Sequence, residues 1–276
     1  VIRRWWGALQ TRREAAALHR RAIPDDLWKR TLIRYPFLQR RDPAEAAELR
    51  RLTSLLLDRK EFSTLGGLKL TDMLAVSIAA QAALPVLRLG LQVYDSFVGI
   101  VVLPDGVPQQ RQDVDEYGVV HEYEDYTVGQ AAHGGPLMLS WPDVRQAGRQ
   151  SRQAYNVVIH EFAHVLDMGD GVVDGVPVLP SGLSRQQWLT TLHLEHARFA
   201  QRVDAGEETA LDPYAAHSPD EFFAVASESF FVDPGGLLAE HPAFYALLSR
   251  YYQQDPQKER PPARGAAAGG PDIPRA

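Results

Sequence analysis

Residues 157–167 read Val-Val-Ile-His-Glu-Phe-Ala-His-Val-Leu-Asp, and two of them, His160 and His164, stand four apart. On a helix that spacing puts both imidazoles on one face, with Cβ atoms roughly 6 Å apart. Both rings can then reach one Zn²⁺, whose bonds to imidazole nitrogen are about 2.0–2.1 Å long. Glu161 points to the same side without ligating, placed to take a proton from metal-activated water. The chemistry on offer is hydrolysis. Val157, Val158, Ile159, Phe162, Ala163, Val165 and Leu166 make the rest of the segment apolar. Three ionisable groups in such a helix are costly unless they serve a site or find partners.

A catalytic zinc usually takes three protein ligands and keeps one position for water. The chain has no cysteine, so the third ligand must be His, Asp or Glu. His193 and His196 lie on a polar, amphipathic stretch and are expected to face solvent. His121, His133, His217 and His241 fall outside any ligand pattern. Glu221 and Glu228 are seven apart and share one face of an apolar helix with Phe222, Phe223, Val225 and Phe230. Glu221 has a competing role, because Ser218-Pro219-Asp220-Glu221 also fits a capping box with proline at the first helical position. Spacing leaves both glutamates open.

These groups need elements to hold them. Residues 24–59 read as helical, with Pro24-Asp25-Asp26 and Asp42-Pro43 as helix starts, and a further helix fits Leu70–Leu84. Val98–Leu103, segment 117–128 and Pro136–Trp141 have strand character. Helices are expected over about 153–166, 184–205, 219–231 and 242–253. Helices, then a small mixed sheet, then helices around the motif make an α+β fold. Residues 1–20 are expected to be poorly constrained and 256–276 to be a disordered tail rich in Pro, Ala and Gly. Between them, 21–255 form one catalytic domain whose helical N-terminal lobe covers about 21–84.

Composition narrows the setting. A net charge of −6 argues against direct nucleic-acid binding, although arginines crowd the N-terminal third and offer a docking surface. No apolar run approaches the roughly 20 residues of a membrane span, and the first residues lack the apolar stretch of a secretion signal. The lack of cysteine excludes a disulfide and fits a reducing cytoplasm, where we expect the protein to work.

Two long motifs carry a resemblance. His160-Glu-Phe-Ala-His-x-Leu-Asp167, followed by Asp212-Pro-Tyr-Ala-Ala-x-x-Pro-x-Glu-Phe-Phe-Ala-Val-x-Ser-Glu228, resembles the Mlc titration factor A family of zinc peptidases. That family is gluzincin-like and akin to the catalytic domain of lethal factor. The similarity extends to Leu84-Pro-Val-Leu-x-Leu-Gly90, Gly135-Pro-x-x-Leu-Ser-Trp141, Gly175-Val-Pro177 and Tyr251-Tyr-Gln-Gln-Asp-Pro256, and runs from about residue 24 to 256. It implies a zincin-like fold and one Zn²⁺ per chain held by His160, His164 and Glu221. It also implies Glu161 as general base, Tyr214 facing the metal, and Glu228 as a supporting or structural carboxylate. By position alone Tyr214 reads rather as a core tyrosine, and Asp167 could orient a ligand imidazole, serve as a cap or make a surface loop contact. The implied activity is that of an aminopeptidase on short peptide substrates, and strand 136–141 could offer its edge to an extended peptide. The alternative it implies is a regulatory protein that sequesters a transcriptional repressor of sugar uptake.

Overall fold

The computed structural model describes residues 2–105, 108–114, 120–126, 135–147 and 154–258, and of 2–10, 108–114 and 120–126 only the secondary structure. The tail expected to be disordered lies outside the described residues from 259 onward. Where the sequence predicts no element, the chain opens with helix α1 (Ile2–Arg20). Arg20 pairs with Asp58 at 3.0 Å and Glu14 with Arg51, so the visible part of α1 is tied to α3 (Pro43–Arg59). Helix α2 (Asp25–Arg34) lies between them in sequence.

Local chemistry sets the helix ends. Asp42 accepts the Glu45 amide at 2.8 Å, with Pro43 in the first turn, and so starts α3. Leu49, Leu52, Leu55 and Leu56 of α3 are buried, each worth about 1.5–3 kcal/mol relative to exposure. Helix α4 (Asp72–Ala83) is capped by Thr71 and buried on nearly all sides, packed between α3 and α6 (Val157–Asp167). A helix that is apolar all round belongs in an interior, and its alanines allow close approach.

The sheet differs from the expectation. Instead of one mixed sheet there is a three-stranded, wholly parallel sheet in the order β1 (Glu61–Thr64), β2 (Gly99–Leu103), β5 (Leu137–Ser140). A separate antiparallel pair joins β3 (Pro108–Val114) to β4 (Val120–Tyr126). Parallel neighbours need a crossover, which α4 provides between β1 and β2 and the β3–β4 excursion provides between β2 and β5. β5 runs straight into α5 (Trp141–Gln146), and both contact α6.

The remaining helices are α7 (Arg185–Asp204), α8 (Pro219–Val232), α9 (Pro234–Glu240) and α10 (Pro242–Tyr252). Every residue of α8 from Phe222 to Val232 is buried. Trp188 of α7 meets Phe223, Phe244 and Tyr251 with ring centroids 6.0, 5.8 and 5.6 Å apart, an edge-on cluster that fixes the back of α8. The other side of α8 packs on α6. Among the described residues no helix is long and apolar enough to cross a membrane.

Candidate metal centre

Helix α6 begins where Asn156 accepts the Ile159 amide on its side-chain oxygen at 3.0 Å. The start is thereby fixed four residues before His160. His160 and His164 are the only part-exposed residues of α6, and their Nε2 atoms lie 3.2 Å apart. From α8, Glu221 brings its Oε2 to 3.1 Å from the first nitrogen and 3.5 Å from the second. Among the described residues these three form the only cluster of three or more metal-type side chains. Ligands at about 2.0–2.1 Å in a tetrahedron stand roughly 3.3–3.4 Å from one another, so the triangle has the size of one tetrahedral face. The donor set of two nitrogens and one oxygen also argues against Ca²⁺, which takes six to eight oxygens at about 2.3–2.6 Å.

The protonation pattern points the same way. His160 Nδ1 lies 2.8 Å from Oε1 of the buried Glu228, whose other oxygen accepts the Asn156 amide, so we assign the ring proton to this nitrogen. In the neutral ring Nε2 then carries the lone pair, and it faces the carboxylate oxygen of Glu221. That oxygen is buried and has no hydrogen-bond donor. Lone pairs converging in this way call for a cation between them. Desolvation by burial acts to lower the His160 pKa, yet the adjoining carboxylates of Glu221 and Glu228 outweigh it and raise the pKa well above the usual imidazole value. Glu221 shows the mirror image: burial acts to raise its pKa, and the two imidazoles hold it far below the usual range. Positive charge is favoured at this point, and a divalent ion supplies more of it than a proton.

Behind the triangle sits a network that spacing did not reveal. Glu228 accepts the Asn156 amide on Oε2 as well as the His160 ring on Oε1. The Asn156 side chain donates to Gln81 Oε1 of α4 at 2.9 Å. One carboxylate therefore fixes both the start of α6 and the ring of its first histidine. An apolar run preceded by Asn is a recognisable cap signal, so Asn156 was legible; Gln81, 75 positions away, was not. Replacing Glu228 by Ala should weaken zinc affinity about 10–100-fold, as losses behind a metal ligand usually do. Glu228→Gln, which keeps an acceptor for the ring, should lose less. Zinc competition against a chromophoric chelator reads the difference, and equal affinity for wild type and E228A would remove Glu228 from the site.

Glu161 is 2% exposed. Burial pushes its carboxyl up to about 8, His160 opposes this, and Glu221 and Glu228 add to it. Its environment, with no metal ion beside it, favours the protonated form. Tyr214 lies in a short turn, Pro213–Ala216, whose start is fixed by Asp212 accepting the Tyr214 amide at 2.9 Å. Its hydroxyl donates to Glu221 Oε1 at 3.3 Å, and its ring lies 6.2 Å from that of His160. Its hydroxyl thus meets the candidate ligand Glu221. His196, expected at the surface, is part-buried and donates from Nε2 to Ala216 O at 3.1 Å, holding this turn against α7.

Two expectations are refined. The serine half of the capping box exists, since Ser218 accepts the Glu221 amide at a long 3.5 Å, but the glutamate side chain turns to the imidazoles. Asp167 orients no imidazole; it is fully buried and accepts the Gly175 amide on Oδ2 at 2.8 Å. Burial pushes the Asp167 carboxyl up to about 6 despite that bond. Of the other histidines, His241 pairs with Glu195 at 2.8 Å in a buried contact, His193 is exposed, and His133 lies outside the described residues.

Comparison with known proteins points to a metal-using family. The chain is 37% identical over 224 residues to Mlc titration factor A of Serratia proteamaculans, covering 80% of this chain and 84% of that protein. It is 36% identical over 224 residues to Mlc titration factor A of Edwardsiella ictaluri, with 80% and 85% covered. An uncharacterized protein of Synechocystis is 35% identical over 225 residues, with 81% and 82% covered. The profile of the glucose-regulated metallo-peptidase M90 family matches residues 8–253. By the extent of these matches, the chain belongs to the glucose-regulated metallo-peptidase M90 family.

Proposed function

We propose that this chain is a zinc-dependent peptidase of aminopeptidase type with a zincin-like catalytic fold, working in the cytoplasm on short peptides. The observation that carries the reading is the triangle of His160, His164 and Glu221, with Glu161 between the two histidines in sequence. Zinc bound there supplies Lewis acidity, acidifying water and polarising a carbonyl. Glu161 accepts the proton of the attacking water and delivers it to the leaving amine. The Tyr214 hydroxyl donates a hydrogen bond to the oxyanion that develops on the scissile carbonyl. Glu228 keeps the His160 proton on Nδ1 and its lone pair on Nε2. β5 is an edge of the parallel sheet among the described residues and contacts α6, which supports strand-like binding of an extended substrate.

The test is cleavage of a peptide mixture holding free and acetylated N-termini, with and without a zinc chelator. Chelator-sensitive release of N-terminal residues from the free peptides alone is the expected result. Internal cleavage of both sets would replace the aminopeptidase reading with an endopeptidase. A zinc-loaded chain that cuts nothing on a broad panel would favour a second reading, supported by the name of the relatives: a binding protein that sequesters a sugar-uptake repressor.

A further inference from the structure

The loop after the histidine helix is more than a connection. Gly175 has a φ of +77°, and a β-carbon added there would stand 2.6 Å from Pro219 O and 2.9 Å from Leu192 Cδ2. The first of these is backbone, which cannot swing aside. The loop main chain therefore rests directly on the opening residue of α8, two positions before Glu221. The peptide groups of Gly175 are tied in two other directions. Its amide donates at 2.8 Å to Asp167, the last residue of α6 and three positions after His164. Its carbonyl accepts from the Trp188 indole of α7 at 2.8 Å. Asp167 and Trp188 are both fully buried, and Trp188 also packs on Phe223, two residues beyond Glu221.

We infer that Gly175 and Asp167 form a clamp that sets where the start of α8, and with it the Glu221 carboxylate, stands relative to the two imidazoles. The inference rests on the metal-centre reading above. Gly175 is a positioning residue and Asp167 its anchor; neither touches the reacting atoms. Only glycine combines this φ with contact against the α8 main chain. Asp167 has an orphan buried oxygen, Oδ1, and its other oxygen, Oδ2, accepts the Gly175 amide, so main-chain donors of this loop sustain its burial. That is a costly arrangement unless the bond has a positional task.

The test uses the full chain stripped of metal. Zinc affinity is measured by competition with a chromophoric chelator, and the visible spectrum is recorded after loading with Co²⁺. Wild type is compared with G175A, D167A, D167N and E221A. G175A and D167A should bind zinc about 10–100-fold more weakly, the range for losses around a metal ligand. Their Co²⁺ spectra should shift toward that of E221A. D167N retains an oxygen acceptor for the Gly175 amide and should recover near wild-type affinity and spectrum. Lowered thermal stability with unchanged zinc affinity and an unchanged Co²⁺ spectrum in G175A and D167A would overturn the clamp, leaving the metal centre intact. If G175A does not fold, the D167A and D167N pair decides by the same readings. A wild-type chain that takes up no zinc would overturn the metal centre, and the clamp with it.

Discussion

Glu161→Gln should leave one zinc ion per chain and reduce kcat about 10²–10⁴-fold, the usual worth of a positioned general acid–base group. The amide has nearly the shape of the carboxylate, so packing around this 2% exposed side chain is kept. What is lost is the ability to take a proton from water and return it to the leaving amine. Substrate binding is retained, so KM should change far less than kcat. The same variant separates the two functional readings. It should still bind any repressor that the wild type binds, because that contact needs no proton transfer. Zinc content by elemental analysis and peptide turnover check the prediction together. An E161Q protein of wild-type turnover would take Glu161 out of the chemistry.

His160→Ala should abolish zinc binding at micromolar metal and remove all zinc-dependent hydrolysis. The substitution removes one of three donors and also strands Glu228, whose Oε1 then has no ring to accept from in a buried position. A heat-stability assay shows this without a substrate. A ligand at 1,000 times its Kd stabilises the native state by about 4 kcal/mol. In a chain of this size that is on the order of 10 °C in Tm. Wild type and E161Q should show such a rise on adding zinc, whereas H160A should show almost none. An H160A chain that still gains the full shift would mean the ion sits elsewhere. The comparison also separates loss of the site from loss of the fold, since the metal-free forms are compared under one condition.

Much of the fold could be read along the chain, because much of it is locally specified. Asp42-Pro43 and Ser218-Pro219 do start helices, since serine and aspartate satisfy amides that a first turn leaves free. The apolar run near residue 100 is a strand that buries Ile100 and Val102 on one face and half-covers Gly99, Val101 and Leu103 on the other. The strand Glu61–Thr64 was not legible. Its four residues, Glu-Phe-Ser-Thr, alternate half-buried with exposed, and it is a strand because β2 lies beside it in parallel. The parallel character of the sheet was hidden for the same reason, as direction depends on crossovers and not on the strands' own residues.

Local spacing alone settles that the two imidazoles pair, because i and i+4 must share a face on any α-helix, whatever surrounds it. The same spacing could not choose between Glu221 and Glu228, which stand two turns apart on one face, and only the family resemblance implied Glu221. The packing of α8 on α6 places the two differently. It sets Glu221 against the Nε2 atoms of both rings and Glu228 against the Nδ1 of one, so two similar carboxylates meet opposite edges of a single imidazole. Gln81, His196 and the contact of Gly175 with Pro219 belong to the same class of fact. Each joins residues 20 or more positions apart, and such contacts exist only once burial of the apolar faces has brought the helices together.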